Sequence, residues 1–227
     1  EANVLPGVLG RICSRPCESA CRHGWPGNGE PVGICNLKRS AADMKHASHR
    51  ITEKLFAPTG KRVAIVGAGP AGVAAAHDLS VLGHDVTLFE RESHPGGMLR
   101  YGIPAFRLPR DILEVELHNA LRLGVELKLG AGVGQRTDMP VARLLQDYDA
   151  VLLTAGCMAP LPLPLDGEWQ NRDPADVCPD IEHGLPFLMA LHRDEKKTVR
   201  KRVAVVGAGF TALDCARVAS RLGAQEV

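Results

Sequence analysis

Cys13, Cys17, Cys21 and Cys35 stand close together near the start of the chain, in the spacing Cys-x3-Cys-x3-Cys-x13-Cys. Four thiolates are the ligand complement of a [4Fe-4S] cube. Structural zinc sites favour two close Cys pairs or Cys/His pairs, and three evenly spaced cysteines followed by a distant fourth match that pattern less well than they match a cluster. Disulfides suit short secreted chains, which this is not. The remaining cysteines, Cys157, Cys178 and Cys215, stand singly in apolar surroundings and read as packed residues.

A second kind of chemistry is written twice. Gly67-Ala68-Gly69-Pro70-Ala71-Gly72 and Gly207-Ala208-Gly209-Phe210-Thr211-Ala212 each follow an apolar run and open a helical pattern. In such a turn the first glycine allows the tight bend, the second lets backbone approach a pyrophosphate, and the third lets helix and strand close up. The helix N-terminus then presents free N–H groups and partial positive charge to the phosphates. Glu90 ends the next apolar run, about 20 residues on, where an acid can accept hydrogen bonds from ribose hydroxyls, with Arg91 beside it. Ala212 in place of a third glycine is tolerated because that position only sets a packing distance. The acid or base that would separate NAD from NADP at the second turn falls at about residue 230 by the same spacing, so cofactor choice is not readable. Between the two turns, Gly96-Gly97-Met98-Leu99 and Arg107-Leu108-Pro109 give bare or rigid backbone suited to lying against a large planar ligand.

The elements that position these residues follow an α/β pattern. Arg62–Val66 and Asp85–Phe89 read as strands around a helix over Ala71–Leu82, a βαβ unit. A helix over Asp111–Leu123 and strands at Val125–Leu129 and Ala150–Thr154 continue it. A short helix, Leu185–His192, precedes a strand at Arg202–Val206 and a helix at Thr211–Leu222. Residues 1–40 lack periodicity and read as loops and turns organised by a cluster, and residues 40–56 read as a helix with Ala41, Met44, Ile51 and Leu55 on one face. The predicted organisation is a small helical, iron–sulfur cluster-binding segment over 1–58, a Rossmann-like domain over 59–160, a Pro- and Asp-rich crossover over 161–198, and the start of a second Rossmann-like domain over 199–227. The second domain would be entering its next strand at Glu226-Val227, and the chain opens on Glu1, so a piece of a longer polypeptide is expected.

With 227 residues, 45% hydrophobic content and a formal charge of +1, the chain can bury one or two cores and gives no electrostatic reason to bind nucleic acid or an anionic membrane. No apolar run is long enough to span a bilayer and no secretory signal is legible, so a cytoplasmic protein is expected. Two dinucleotide sites beside a cysteine group imply an electron relay.

The chain resembles the small (beta) subunit of NADPH-dependent glutamate synthase and its relatives, including the flavin and iron–sulfur part of dihydropyrimidine dehydrogenase. The matching residues are Gly10-Arg11-Ile12-Cys13, Pro16-Cys17-Glu18 with Cys21, Leu37-Lys38-Arg39, the turn at Gly67–Gly72, Gly96–Pro104, Arg107-Leu108-Pro109, Asp214-Cys215-Ala216-Arg217 and Arg221–Ala224. The resemblance implies FAD in the first nucleotide site, NAD(P)H in the second, and [4Fe-4S] ligation by the cysteine segment. The family's further cysteines upstream are absent and Cys35 is additional, which points to a one-cluster relative serving a larger redox complex, such as a formate or tungsten aldehyde oxidoreductase. The expected function is an electron-transfer subunit moving electrons between NAD(P)H, FAD and the cluster, to or from a partner subunit, with no general acid or base of its own. A glutamate synthase small subunit and a docking scaffold with one degenerate nucleotide site are the competing readings.

Overall fold

The computed structural model describes residues 3–44, 53–134, 137, 139–160, 176, 178–195 and 198–227. Two compact units divide the chain: Glu1–Leu99 with Ala105–Ala155, and Arg100–Pro104 with Gly156–Val227.

In the first unit, β1 (Arg62–Val66), β2 (Asp85–Phe89), β3 (Glu126–Lys128) and β4 (Ala150–Leu153) form one sheet in the order β3-β2-β1-β4. Every pairing is parallel, with Ala64 opposite Thr87 on one side and Val151 on the other. Parallel strands covered on both faces carry continuous apolar runs, and Val63, Ala64 and Ile65 of β1 and Val86, Leu88 and Phe89 of β2 are accordingly buried. Helix α4 (Pro70–Val81) crosses between β1 and β2, and the short helix α5 (Met98–Tyr101) follows β2 in the chain. Helix α6 (Arg110–Leu121) packs on α4 and turns Leu113, Leu117 and Ala120 inward. Helix α7 (Val141–Asp147), which the sequence pattern does not announce, places Leu144 in one core cluster with Ala64 and Phe89.

The cysteine segment belongs to the same unit and is more helical than its composition suggests. Helices α1 (Pro6–Ile12), α2 (Pro16–Ser19) and α3 (Ile34–Asp43) occupy the stretch read as loops. Of the helix expected over 40–56, the start belongs to α3, residues 53–56 are not helical, and residues 45–52 lie outside the described residues. Glycine hides α1 in the sequence, yet glycine is what lets it pack. A Cβ on Gly10 would stand 2.8 Å from the Cβ of Arg39 on α3, so only a bare backbone permits this crossing.

In the second unit, helix Gly184–His192 packs against helix Phe210–Arg221 around Leu188, Cys215 and Val218. The strand expected at Arg202–Val206 is not formed. Arg202 makes an isolated parallel bridge to Glu226, and the Val203 N–H donates to the Glu226 carbonyl at 3.0 Å. A strand exists only through its neighbours, and among the described residues only the short stretch at Gln225-Glu226 offers backbone to this one. Val206 is accordingly 78% exposed. Of the expected 161–198 crossover, residues 161–175, 177, 196 and 197 lie outside the described residues, and the rest carries helix Gly184–His192.

Candidate functional site

The first glycine turn is built where β1 meets α4. Gly67 adopts φ +103, a backbone region that disfavours side chains, and a Cβ there would lie 2.5 Å from the Thr154 carbonyl oxygen. Gly72 is tighter still, since its Cβ would meet the Gly67 carbonyl oxygen at 1.9 Å. Gly69 is the opposite case. It caps α4 with extended φ and ψ of −71° and −178°, and nothing lies within 4 Å of where its side chain would be. Two glycines thus make the turn possible and the third leaves an open face at the N-terminus of a 12-residue helix. Pro70 and Ala71 are exposed at its rim. This is the surface that a pyrophosphate needs, so the chain's residues fit a dinucleotide here.

The turn is braced from three sides. The Gly67 N–H donates to the Phe89 carbonyl at the end of β2 (2.8 Å). The Glu90 carboxylate, 6% exposed, accepts the Ala68 N–H at 2.8 Å through one oxygen and the Glu92 N–H at 2.9 Å through the other. The acid foreseen as a ribose acceptor is therefore first the support of its own turn, with its remaining lone pairs left for a ligand. From β4, the Thr154 hydroxyl lies 2.9 Å from the carbonyl oxygens of both Val66 and Gly67. Thr154 escaped the sequence reading; the signal was a hydroxyl at the end of a strand that must neighbour the fingerprint.

Gly96 and Gly97 close against the same turn. The Gly96 N–H donates to the Ala68 carbonyl at 2.8 Å, and a Cβ on Gly97, at φ +51, would stand 2.9 Å from the Gly69 Cα. Met98 is half-buried, Leu99 is buried, and Arg107 is half-buried beyond them. Arg91 is ion-paired with Glu92 at 3.5 Å. The structure therefore brings Gly67, Gly69, Gly72, Glu90 and Gly97 into one site, with Pro70, Ala71, Arg91, Met98 and Leu99 adjoining it in the chain.

The second turn repeats the cap. Gly207 has φ +126, Gly209 caps its helix with φ and ψ of −79° and 174°, and nothing stands within 4 Å of its missing side chain. Ala212 carries a Cβ where the first turn has Gly72, and it sits 3.4 Å from where a Gly207 side chain would begin. Gly207, Gly209, Phe210 and Thr211 are all exposed. Behind them, burial first and then the Asp214 and Glu182 charges push the Cys215 thiol up to about 11.

The four candidate ligand cysteines do not share one environment. Backbone hydrogen bonds, from Val32 first and then His23, hold the Cys21 thiol below its usual range, and the Cys13 sulfur accepts the Arg15 N–H at 3.4 Å. The surroundings of Cys21 suit a thiolate. Cys17 is exposed. Cys35 is 3% exposed between α1 and α3, its thiol facing the carbonyl oxygens of Gly10 at 3.4 Å and Leu9 at 3.8 Å. Among the described residues no three His, Cys, Asp or Glu side chains are gathered to hold a metal ion. In this structure the four thiols do not form a ligand set. Glu18 accepts the Cys35 N–H at 2.9 Å and so caps α3, a role that the Pro16-Cys17-Glu18 run gave no reason to expect.

A parallel sheet in this order, with a braced glycine turn at the junction of its first strand and helix, defines a Rossmann-type dinucleotide-binding domain. The family model described as pyridine nucleotide-disulphide oxidoreductase matches residues 61–227, and the chain belongs to that family. It is 39% identical to the NADP(+)-dependent formate dehydrogenase subunit beta of Moorella thermoacetica, over 100% of this chain and 34% of that protein. It is 37% identical to the glutamate synthase [NADPH] small chain of Mycobacterium tuberculosis, over 98% of this chain and 46% of that one. The resemblance read from the sequence therefore holds, and the chain spans about a third to a half of the length of these relatives. FprA of Mycobacterium tuberculosis, solved in complex with NADPH, superposes with a TM-score of 0.57 at 22% identity, over 70% of this chain and 36% of that one. At that identity the likeness speaks for the fold. Among the described residues no helix is long and apolar enough to cross a membrane.

Proposed function

We propose that the chain is the nucleotide-binding part of an electron-transfer subunit, with FAD at the first turn, NAD(P)H at the second, and redox partner subunits beyond. The observation that carries this reading is the open face of Gly69 within a turn braced by Glu90 and Thr154. Bare backbone at Gly69 and the first N–H groups of α4 would hold the pyrophosphate. Glu90 would offer its remaining lone pairs to a ribose, and Gly97, folded over Gly69, would put bare backbone beside the ligand, with Met98 and Leu99 next in the chain. Bound FAD supplies the exchange between a two-electron hydride and single electrons. The residues 59–160 would then be the flavin-binding domain and 199–227 the start of the nicotinamide-binding one. No side chain at either turn is required as a general acid or base.

The names of the relatives support partner subunits as a class, from formate dehydrogenase and NADPH-Fe(3+) oxidoreductase beta subunits to the glutamate synthase small chain. A non-catalytic scaffold is disfavoured by the intact geometry of both caps. A [4Fe-4S] cluster on Cys13, Cys17, Cys21 and Cys35 is supported by spacing and resemblance, and its test is Cys35→Ala. Loss of iron and of broad visible absorbance with flavin retained supports the four-ligand set; about four irons per chain in that variant overturns it.

The flavin assignment is tested by Gly69→Val in the full-length protein. With nothing within 4 Å to clash, the variant should fold, yet a branched side chain fills the pyrophosphate face. Flavin affinity should fall by at least about 100-fold, close to 3 kcal/mol. Gly209→Val should instead keep the flavin and lose its reduction by NAD(P)H. Wild-type protein without flavin absorbance, or Gly209→Val with unchanged reduction kinetics, refutes the corresponding assignment.

A further inference from the structure

Helix α1 begins in a way that its own sequence cannot support. A helix leaves its first N–H groups without intrahelical partners, and a Ser, Thr, Asp or Asn at the N-cap normally supplies the missing acceptor. Here the N-cap is Leu5, whose side chain has no acceptor, and Pro6 follows it. The donors that remain are Gly7 and Val8, both buried. Their partner comes from far along the chain: the Gly7 N–H donates to one oxygen of Glu116 at 2.7 Å, and the Val8 N–H to the other at 2.9 Å. Gly7 is also bare where it must be, since a Cβ there would stand 2.9 Å from that carboxylate.

The position of Glu116 gives this cap its meaning. It lies on α6, which packs on α1 and also on α4, the helix whose N-terminus forms the first nucleotide turn. A carboxylate at a helix N-terminus combines charge-assisted hydrogen bonds with a favourable interaction with the helix dipole. Past its C-terminal end α1 carries Cys13, and at Gly10 it packs against α3, which carries Cys35. The Glu116 side chain therefore ties the cysteine-bearing helices to the helix pair under the nucleotide site.

The geometry points to Glu116 as a positioning residue that couples the cysteine segment energetically to occupancy of the first nucleotide site. Ligand binding to the turn stabilises α4 and the α6 packed on it, and through Glu116 that stabilisation reaches α1. This consequence rests on the proposed flavin site; the tether itself does not.

Amide hydrogen exchange of the full-length protein tests both, with and without added FAD, in wild type, Glu116→Ala and Glu116→Gln. In the absence of FAD, Glu116→Ala should speed exchange along α1 by on the order of tenfold or more while β1 and β2 hold. Glu116→Gln keeps one acceptor oxygen and should fall between the two. Added FAD should slow exchange in both α4 and α1 of wild type, but in α4 alone of Glu116→Ala. A merely local packing role would not change that response. If α1 of Glu116→Ala exchanges at the wild-type rate without FAD, the tether is wrong. If FAD slows α1 equally in wild type and Glu116→Ala, the coupling is wrong. If FAD leaves α4 of wild type unaffected, the flavin assignment fails, and the comparison without FAD still decides the tether.

Discussion

The two glycine turns share a cap and differ in everything that surrounds it. Gly69 and Gly209 hold nearly the same backbone angles, −71° and −178° against −79° and 174°, and each precedes a helix of 12 residues. The first turn is then locked by β2, Glu90 and Thr154, whereas the second has one bridge between Arg202 and Glu226 beside it and stands exposed. A short run of glycine and small residues is thus enough to shape a phosphate-binding turn. Bracing it requires strands and side chains from elsewhere in the chain.

The sharpest way to break this comparison is at the third fingerprint position. Gly72→Ala places a Cβ 1.9 Å from the Gly67 carbonyl oxygen, and the misfit should cost about 3 kcal/mol or more with loss of flavin. Ala212→Gly, at the same place in the second turn, should cost about 1 kcal/mol or less, the ordinary penalty of glycine in a helix. Denaturant midpoints with flavin content compare the pair, and equal losses would mean that the two turns are equally constrained.

Cys215 probes the packing of the second unit. With its thiol pushed up to about 11, about 0.1% is thiolate at pH 8, and alkylation should run about 100-fold slower than for a free thiol. Alkylation at the rate of a free thiol would show that helix Phe210–Arg221 is not buried against helix Gly184–His192. Thr154→Val keeps the shape and removes the hydroxyl that reaches Val66 and Gly67. It should cost about 1–2 kcal/mol and loosen flavin binding several-fold, and an unchanged flavin affinity would remove Thr154 from the brace.

The smallest effect belongs to Asp149, just ahead of β4. The Arg62 N–H first, and then Lys61, hold its carboxyl below the ordinary 3.8. A depressed folded value means that its contribution is present above 3.8 and fades as the pH falls through the lower folded value. Wild type should therefore outlast Asp149→Asn in unfolding at pH 6, with the gap closing below pH 3.8. A gap of constant size would assign the effect to something other than this charge.

The first βαβ unit was legible nearly to the residue, because buried parallel strands and the glycine turn write strong local signals. Arg62–Val66 and Asp85–Phe89 form as the pattern required. The positions of the cysteine helices within residues 1–40 were not legible, since α1 depends on Glu116 for its cap and on Gly10 for its packing, and neither dependence leaves a periodic trace. Thr154 and the inward role of Glu90 were hidden for the same reason: they act across the sheet. The strand at Arg202–Val206 had the right residues and lacked neighbours, so local preference alone did not make it.

The hydroxyl of Thr154 also bears on the order in which the molecule matures. It reaches back 88 positions to Val66, and β4 pairs with β1 over a comparable stretch of chain. Closing so long a loop is entropically costly, and contacts of large sequence separation form slowly. During synthesis the glycine turn and α4 emerge early, but the strand that latches them is made only after α6, β3 and α7 have been synthesised. A cofactor bound at this turn would consequently be captured late, and a nascent chain halted before residue 154 would carry the whole fingerprint and still be unable to hold it shut.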